Sequence, residues 1–129
     1  VEQEISDQIK HAMVFARDLE TPVFIVDPDG NVLFYNKKAG EILGRQFDDT
    51  GPLHASTWTR IFMPTDESGS PLMPENLPLM IAVTESRPNY GTMWIEGVDN
   101  VRRHIGVAAF PITGEKGEIL GAMAVYWEI

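Results

Sequence analysis

Apolar residues along this chain change their spacing several times, and each change marks an element. Across residues 2–20, EQEISDQIKHAMVFARDLE, the residues Ile5, Ile9, Ala12, Ala16 and Leu19 recur at intervals of 4, 3, 4 and 3 without an intervening Gly or Pro. That spacing predicts an amphipathic helix with one apolar seam. The rhythm is heptad but lasts only about two heptads, shorter than a self-sufficient coiled coil requires. Such a helix either lies on its own domain or makes a dimer contact, and both readings stay open.

Beyond Pro22 the period changes. Val23 to Val26 is a continuous, β-branched-rich run, as in a strand buried on both faces. DPDG then predicts a turn in which Asp27 bonds to backbone two residues on and Gly30 takes positive φ. Val32 to Tyr35 reads as the second strand, Asn36 as the N-cap of the helix KKAGEILG, and Gly44 as its left-handed stop. From Arg45 to Pro78 the pattern is irregular, with a short helical turn near Trp58 to Phe62. Pro78 suits the first turn of a helix PLMIAVTES. Three strands follow, roughly Asn89–Glu96, Val101–Ile112 and Glu118–Trp127, joined by GVDN and TGEKG, and short joints imply antiparallel pairing. The expected class is α+β: a five-stranded antiparallel sheet with short helices on one face and an N-terminal amphipathic helix, residues 1–20, ahead of a core domain, 21–129.

That order resembles the PAS domain family, the sensory and interaction modules attached to kinases, phosphatases, cyclases and transcription regulators. The carriers are VFIVDPDGNVLFYN followed by KKAGEILG, the stretch DESGSPLMPENLPLMIAV, and the ending TGEKGEILGAMAVYWEI. In these modules the second strand commonly ends in the Asn seen here as Asn36. The last strand often finishes Asp-Ile-Thr, which Glu128 and Ile129 approach. The resemblance implies a sheet curled around a pocket that the middle helices close. Phased against flavin-binding relatives, strand alternation sends Met93, Ile95, Ile105, Val107, Ala109, Ala122, Ala124 and Tyr126 to the concave side. Trp94, Ala108, Phe110, Met123, Val125 and Trp127 face outward, a surface too apolar to stay wet. The seam of the N-terminal helix is its expected cover, from the same chain or a partner, and hiding one large aromatic there is worth roughly 2 to 3 kcal/mol.

Composition narrows the chemistry. With 19 acidic and 10 basic residues the net charge is -9, which repels nucleic acid; Lys37 with Lys38 and Arg102 with Arg103 are only separated basic pairs. The absence of cysteine excludes disulfides, thiolate catalysis and sulfur-ligated zinc. No apolar run is long enough for membrane insertion, and the N-terminus lacks signal-peptide character, so a cytoplasmic location is expected.

Asp27, Asp29 and Asn31 alternate as in a calcium loop, but Val32 stands where Gly is needed and Lys38 where Glu is needed, and the turn explains the acids without a metal. His11, His54 and His104 form no ligand pair, and no serine sits in a GxSxG context. Haem-binding relatives place a His on the helix that here reads PLMIAVTES, and light-sensing flavin relatives need a Cys and carry Gln where this chain has Tyr126. Haem held by a His of that helix and flavin held as a Cys adduct are disfavoured, while noncovalent flavin stays open on pocket grounds.

The expected function is a PAS sensory or signal-transducing domain, not an enzyme, passing a signal to an attached effector in a longer chain, with a homodimer as the expected assembly. The candidate ligand-binding residues are Leu79, Val83, Met93, Ile95, Ile105, Val107 and Tyr126, around an unidentified small apolar ligand. Plain core is the alternative for the same residues. The candidate dimerisation and transmission residues are Ile5, Ile9, Ala12, Ala16 and Leu19 with Trp94, Met123, Val125 and Trp127. Competing readings are a ligand-free dimerisation scaffold and a small proton-transfer isomerase, for which Tyr126 is the one suitable cavity residue.

Overall fold

A computed structural model describes residues 6–97 and 99–129. Helix α1, Asp7–Arg17, opens with Ser6 as N-cap, its hydroxyl accepting from Ile9 N–H. Strands β1, Val23–Val26, and β2, Asn31–Tyr35, form a hairpin. At its turn the Asp27 carboxylate accepts from Asp29 N–H, Asn31 N–H and the Asn31 amide. Those bonds give the acidic turn a structural role. Helix α2, Lys37–Leu43, is capped by Asn36 and stopped by Gly44 at φ 79°.

The middle of the chain holds more structure than its sequence pattern predicts: α3, Phe47–Thr50, β3, Leu53–His54, and α4, Ala55–Phe62, then a 3-10 turn at Pro74–Asn76. Helix α5, Pro78–Glu85, starts on its proline as expected. Strands β4, Asn89–Glu96, β5, Arg102–Thr113, and β6, Ile119–Glu128, complete the chain.

All strand pairs are antiparallel, in the order β3-β2-β1-β6-β5-β4, so the sheet has six strands where the sequence reading expects five. The extra one, β3, is two residues long and pairs Asn31 with His54 and Val32 with Leu53. A strand that short carries no legible alternation. Long range pairing also joins the first strand to the last, Val23 opposite Val125 and Ile25 opposite Met123.

The sheet divides the apolar residues into two clusters. On its concave side the helices α2, α4 and α5 close over Phe24, Tyr35, Met93, Ile105, Val107 and Tyr126. On its convex side α1 lays Ile9, Ala12 and Ala16, joined by Leu19 just beyond its end, against Val23, Ile25, Met123 and Val125. Ile5, the first residue of the expected seam, lies outside the described residues.

One polar side chain, Asn36, is 1% exposed between these layers. Its Oδ1 accepts from Val23 N–H at 3.1 Å and Ala39 N–H at 3.0 Å. Its amide donates to Ala16 O at 2.9 Å and Thr21 O at 2.8 Å. The bonds tie the end of α1, the start of β1 and the first turn of α2 into one joint. Asn36→Ala leaves these backbone groups without partners in a site that water does not reach, and is expected to lower stability by about 3 kcal/mol in urea unfolding.

Candidate functional site

The concave face is built by strand register. Met93 lies opposite Ile105, Val107 opposite Tyr126, and Phe24 opposite both Tyr35 and Ala124, so alternate residues of five strands converge on one side. All seven candidate ligand residues, Leu79, Val83, Met93, Ile95, Ile105, Val107 and Tyr126, belong to the same buried cluster. The sequence reading did not include the aromatic group at its centre. Phe24 stacks on Tyr35 at 4.9 Å, and its ring lies 5.0 Å from Tyr126 and 6.0 Å from Trp58, which in turn meets Phe62. The spacing of Trp58 and Phe62, one helical turn apart, was the available signal. Burial pushes the Tyr126 phenol well above its usual range.

The convex side divides into two halves. Ile9, Ala12, Ala16 and Leu19 meet Met123 and Val125 as expected. Trp94 and Trp127 lie outside that contact, which corrects the expectation of cover by the helix of the same chain; the other expectation is cover by a partner. Trp94 stacks on His104 at 4.6 Å, and Trp127 stacks on Tyr90 at 5.9 Å. The reason is geometric: α1 has 11 residues. A helix of that size is roughly 16 Å long and 10 Å wide and shields about two strands spaced about 4.8 Å apart. Strand β4 and the C-terminal end of β6, where Trp127 sits, stay outside its reach, and of β5 only Ile112 packs against the cluster under α1. Tyr90 is 63% exposed, Trp127 39% and Phe110 36%. Gly106 makes the Trp127 position available, since a Cβ there would fall 2.5 Å from the indole. On the outward side of α1, Val14 and Phe15 are also exposed, at 58% and 64%.

A strap formed by residues 64–72 borders this half. Thr65 exchanges both backbone bonds with Trp94 at 2.8 and 2.9 Å. Glu67 accepts from the Thr92 hydroxyl and from His104 Nε2, each at 2.6 Å, and these bonds hold its carboxyl below the usual range. Asp66 is lowered by the Ser68 hydroxyl and Ser70 N–H, and Asp99 by Arg103 and Val101 N–H. Asp66, Glu67 and Asp99 therefore organise turns and strap. Among the described residues no group of His, Asp and Glu is placed to hold a metal ion, and no helix is long and apolar enough to cross a membrane.

The family model described as the PAS fold matches residues 8–126, and the chain belongs to the PAS family. Among solved structures, the PAS domain of BvgS from Bordetella pertussis superposes with a TM-score of 0.64 at 16% identity, covering 95% of this chain and 86% of that one. The PAS domain of an HTR-like protein from Haloarcula marismortui gives 0.63 at 14% identity, with 95% and 93% covered. A LOV protein from Rhodobacter sphaeroides gives 0.74 at 9% identity, with 96% and 68% covered. No curated protein matches the chain in sequence.

Because the folded pKa of Glu67 is depressed, its bonds contribute stability above the ordinary carboxylate range, and that contribution is lost as pH falls through the folded value. Thermal unfolding between pH 6 and pH 3 is expected to show a shallower acid-side loss for Glu67→Gln than for the parent.

Proposed function

We propose that this chain is a sensory and signal-transmitting PAS domain of a longer cytoplasmic regulator, in which the state of the concave side is passed to α1 and to a partner copy. The supporting observation is the joint at Asn36. One buried side chain bonds at once to α1, to β1 and to α2, so a shift of α2 over the concave face bears directly on the end of α1. Two arrangements of that joint would suffice for a population shift, provided a ligand binds one of them better. The relatives that share the fold include the PAS domain of a nitrogen regulation protein from Vibrio parahaemolyticus, which fits a regulatory role.

In this reading Leu79, Val83, Met93, Ile95, Ile105, Val107 and Tyr126 face a small apolar ligand, and Ile9, Ala12, Ala16, Leu19, Met123 and Val125 carry the change to α1. Residues 1–20 act as the capping segment and 21–129 as the core. Dimerisation uses surface that α1 leaves open. Val14 and Phe15 on its outward side, and Tyr90, Phe110 and Trp127 on β4, β5 and β6, are the exposed apolar side chains that a partner copy would bury. The chain has no cysteine, so an adduct between flavin and a protein thiol has no place here.

The dense aromatic packing around Phe24 favours the ligand-free scaffold as the second reading. The isomerase reading is weaker, because a buried phenol with a raised pKa holds its proton too tightly for exchange near neutral pH.

Two measurements separate these. Sedimentation of the Phe15→Asp variant should show the parent dimer dissociating while thermal stability stays within about 0.5 kcal/mol of the parent, since that residue is exposed. Trp127→Ala should dissociate it with an added stability loss of about 1 to 2 kcal/mol from its packing on Tyr90 and Gly106. A parent that sediments as a monomer overturns the dimer. Native mass spectrometry of freshly purified protein should show a bound small molecule; bare mass at every preparation leaves the scaffold reading.

A further inference from the structure

A second concavity lies away from the interior of the sheet. It is an open cleft of about 470 Å³ between the C-terminal end of α4 and the proline-rich segment 63–74, lined by residues that include Arg60, Met63, Pro64, Leu72, Met73 and Arg102. Its volume is in the range of small-molecule sites.

Three features of its lining point to an occupant. Met63 and Met73 are 46% and 54% exposed, so two flexible thioether side chains stand in water at one cleft. Methionine there adapts to guests of different shape. Met63 also ends α4 in the left-handed region, at φ 43°, a conformation costly for a residue with a Cβ and found where a site constrains it. The third feature is charge. Arg60 has no ion pair among those of the described residues. Arg102 donates to the Thr65 hydroxyl at 2.7 Å and stands 3.9 Å from Glu96. In a chain of net charge -9, two guanidinium groups at an apolar cleft form a local complement for an anion.

We propose that this cleft binds a small amphiphilic carboxylate, its apolar tail against Met63, Leu72 and Met73 and its carboxylate on Arg60 and Arg102. The site adjoins Thr65, whose backbone pairs with Trp94 on β4, so an occupant sits beside the strap that borders the sheet edge. It is independent of the reading of the concave interior.

The methionines make the test local. Met63 and Met73 line the cleft, Met93 belongs to the interior, and Met123 lies under α1. With methyl-labelled methionine, octanoate titrated below its micellar concentration should shift the Met63 and Met73 signals in a saturable way and leave Met93 and Met123 in place. Octanol in place of octanoate, and Arg60→Ala with octanoate, should each weaken binding about tenfold. The unchanged Met93 and Met123 signals of Arg60→Ala report that its fold is intact. A response centred on Met93, shifts that do not saturate, or equal affinity for octanoate and octanol would each overturn the cleft. None of these results depends on whether the chain dimerises.

Discussion

The carboxamide of Asn36 satisfies four backbone groups from three segments that are separate in sequence, and it does so where water cannot take its place. An amide is the one neutral side chain group with both the acceptor that Val23 and Ala39 need and the two donors that Ala16 and Thr21 need. Because the site is 1% exposed, each unmade bond would leave a desolvated carbonyl or N–H behind. The position of α1, the entry into β1 and the start of α2 are therefore one decision, and both apolar clusters are arranged around it.

The sheet then divides hydrophobic residues by function of place. Inward residues of β1, β2, β4, β5 and β6 meet the short helices around Phe24, an arrangement in which register alone selects the lining. Outward residues divide again. Those on β1 and on β6 as far as Val125 are packed against α1, whereas Trp94 and Tyr90 of β4 stack on His104 of β5 and on Trp127 at the end of β6. A helix as short as α1 cannot do more. The exposed half is the consequence of helix length and sheet width, and it supplies the surface a second copy would need.

Acidic residues concentrate where loops must be held. Asp27 organises the first hairpin turn, Asp66 and Glu67 the strap, and Asp99 the turn before β5 through Arg103. Each takes its hydrogen bonds from near neighbours or from the adjacent strand. A surplus of negative charge thus coexists with an ordered surface, and Arg60 beside the methionine cleft, without an ion pair among the described residues, stands apart from that pattern.

Much of this was written in local pattern. The spacing of Ile9, Ala12, Ala16 and Leu19, the continuous run Val23–Val26, the punctuation by Asp27, Gly30, Asn36, Gly44 and Pro78, and the alternation in β4 to β6 marked the elements, because period and capping act over a few residues, while the choice of which alternate set faces inward came from the resemblance to flavin-binding relatives. The strand β3, the helix α3 and the covering of the tryptophans were beyond reach: two-residue pairing carries no period, and which strands a helix shields depends on how wide the sheet is. Asn36 could be read as a cap for α2, its nearest task. That the same amide holds Ala16 and Thr21 was decided by folding, since those carbonyls come within its reach only once α1 has docked across a sheet whose first strand pairs with its last.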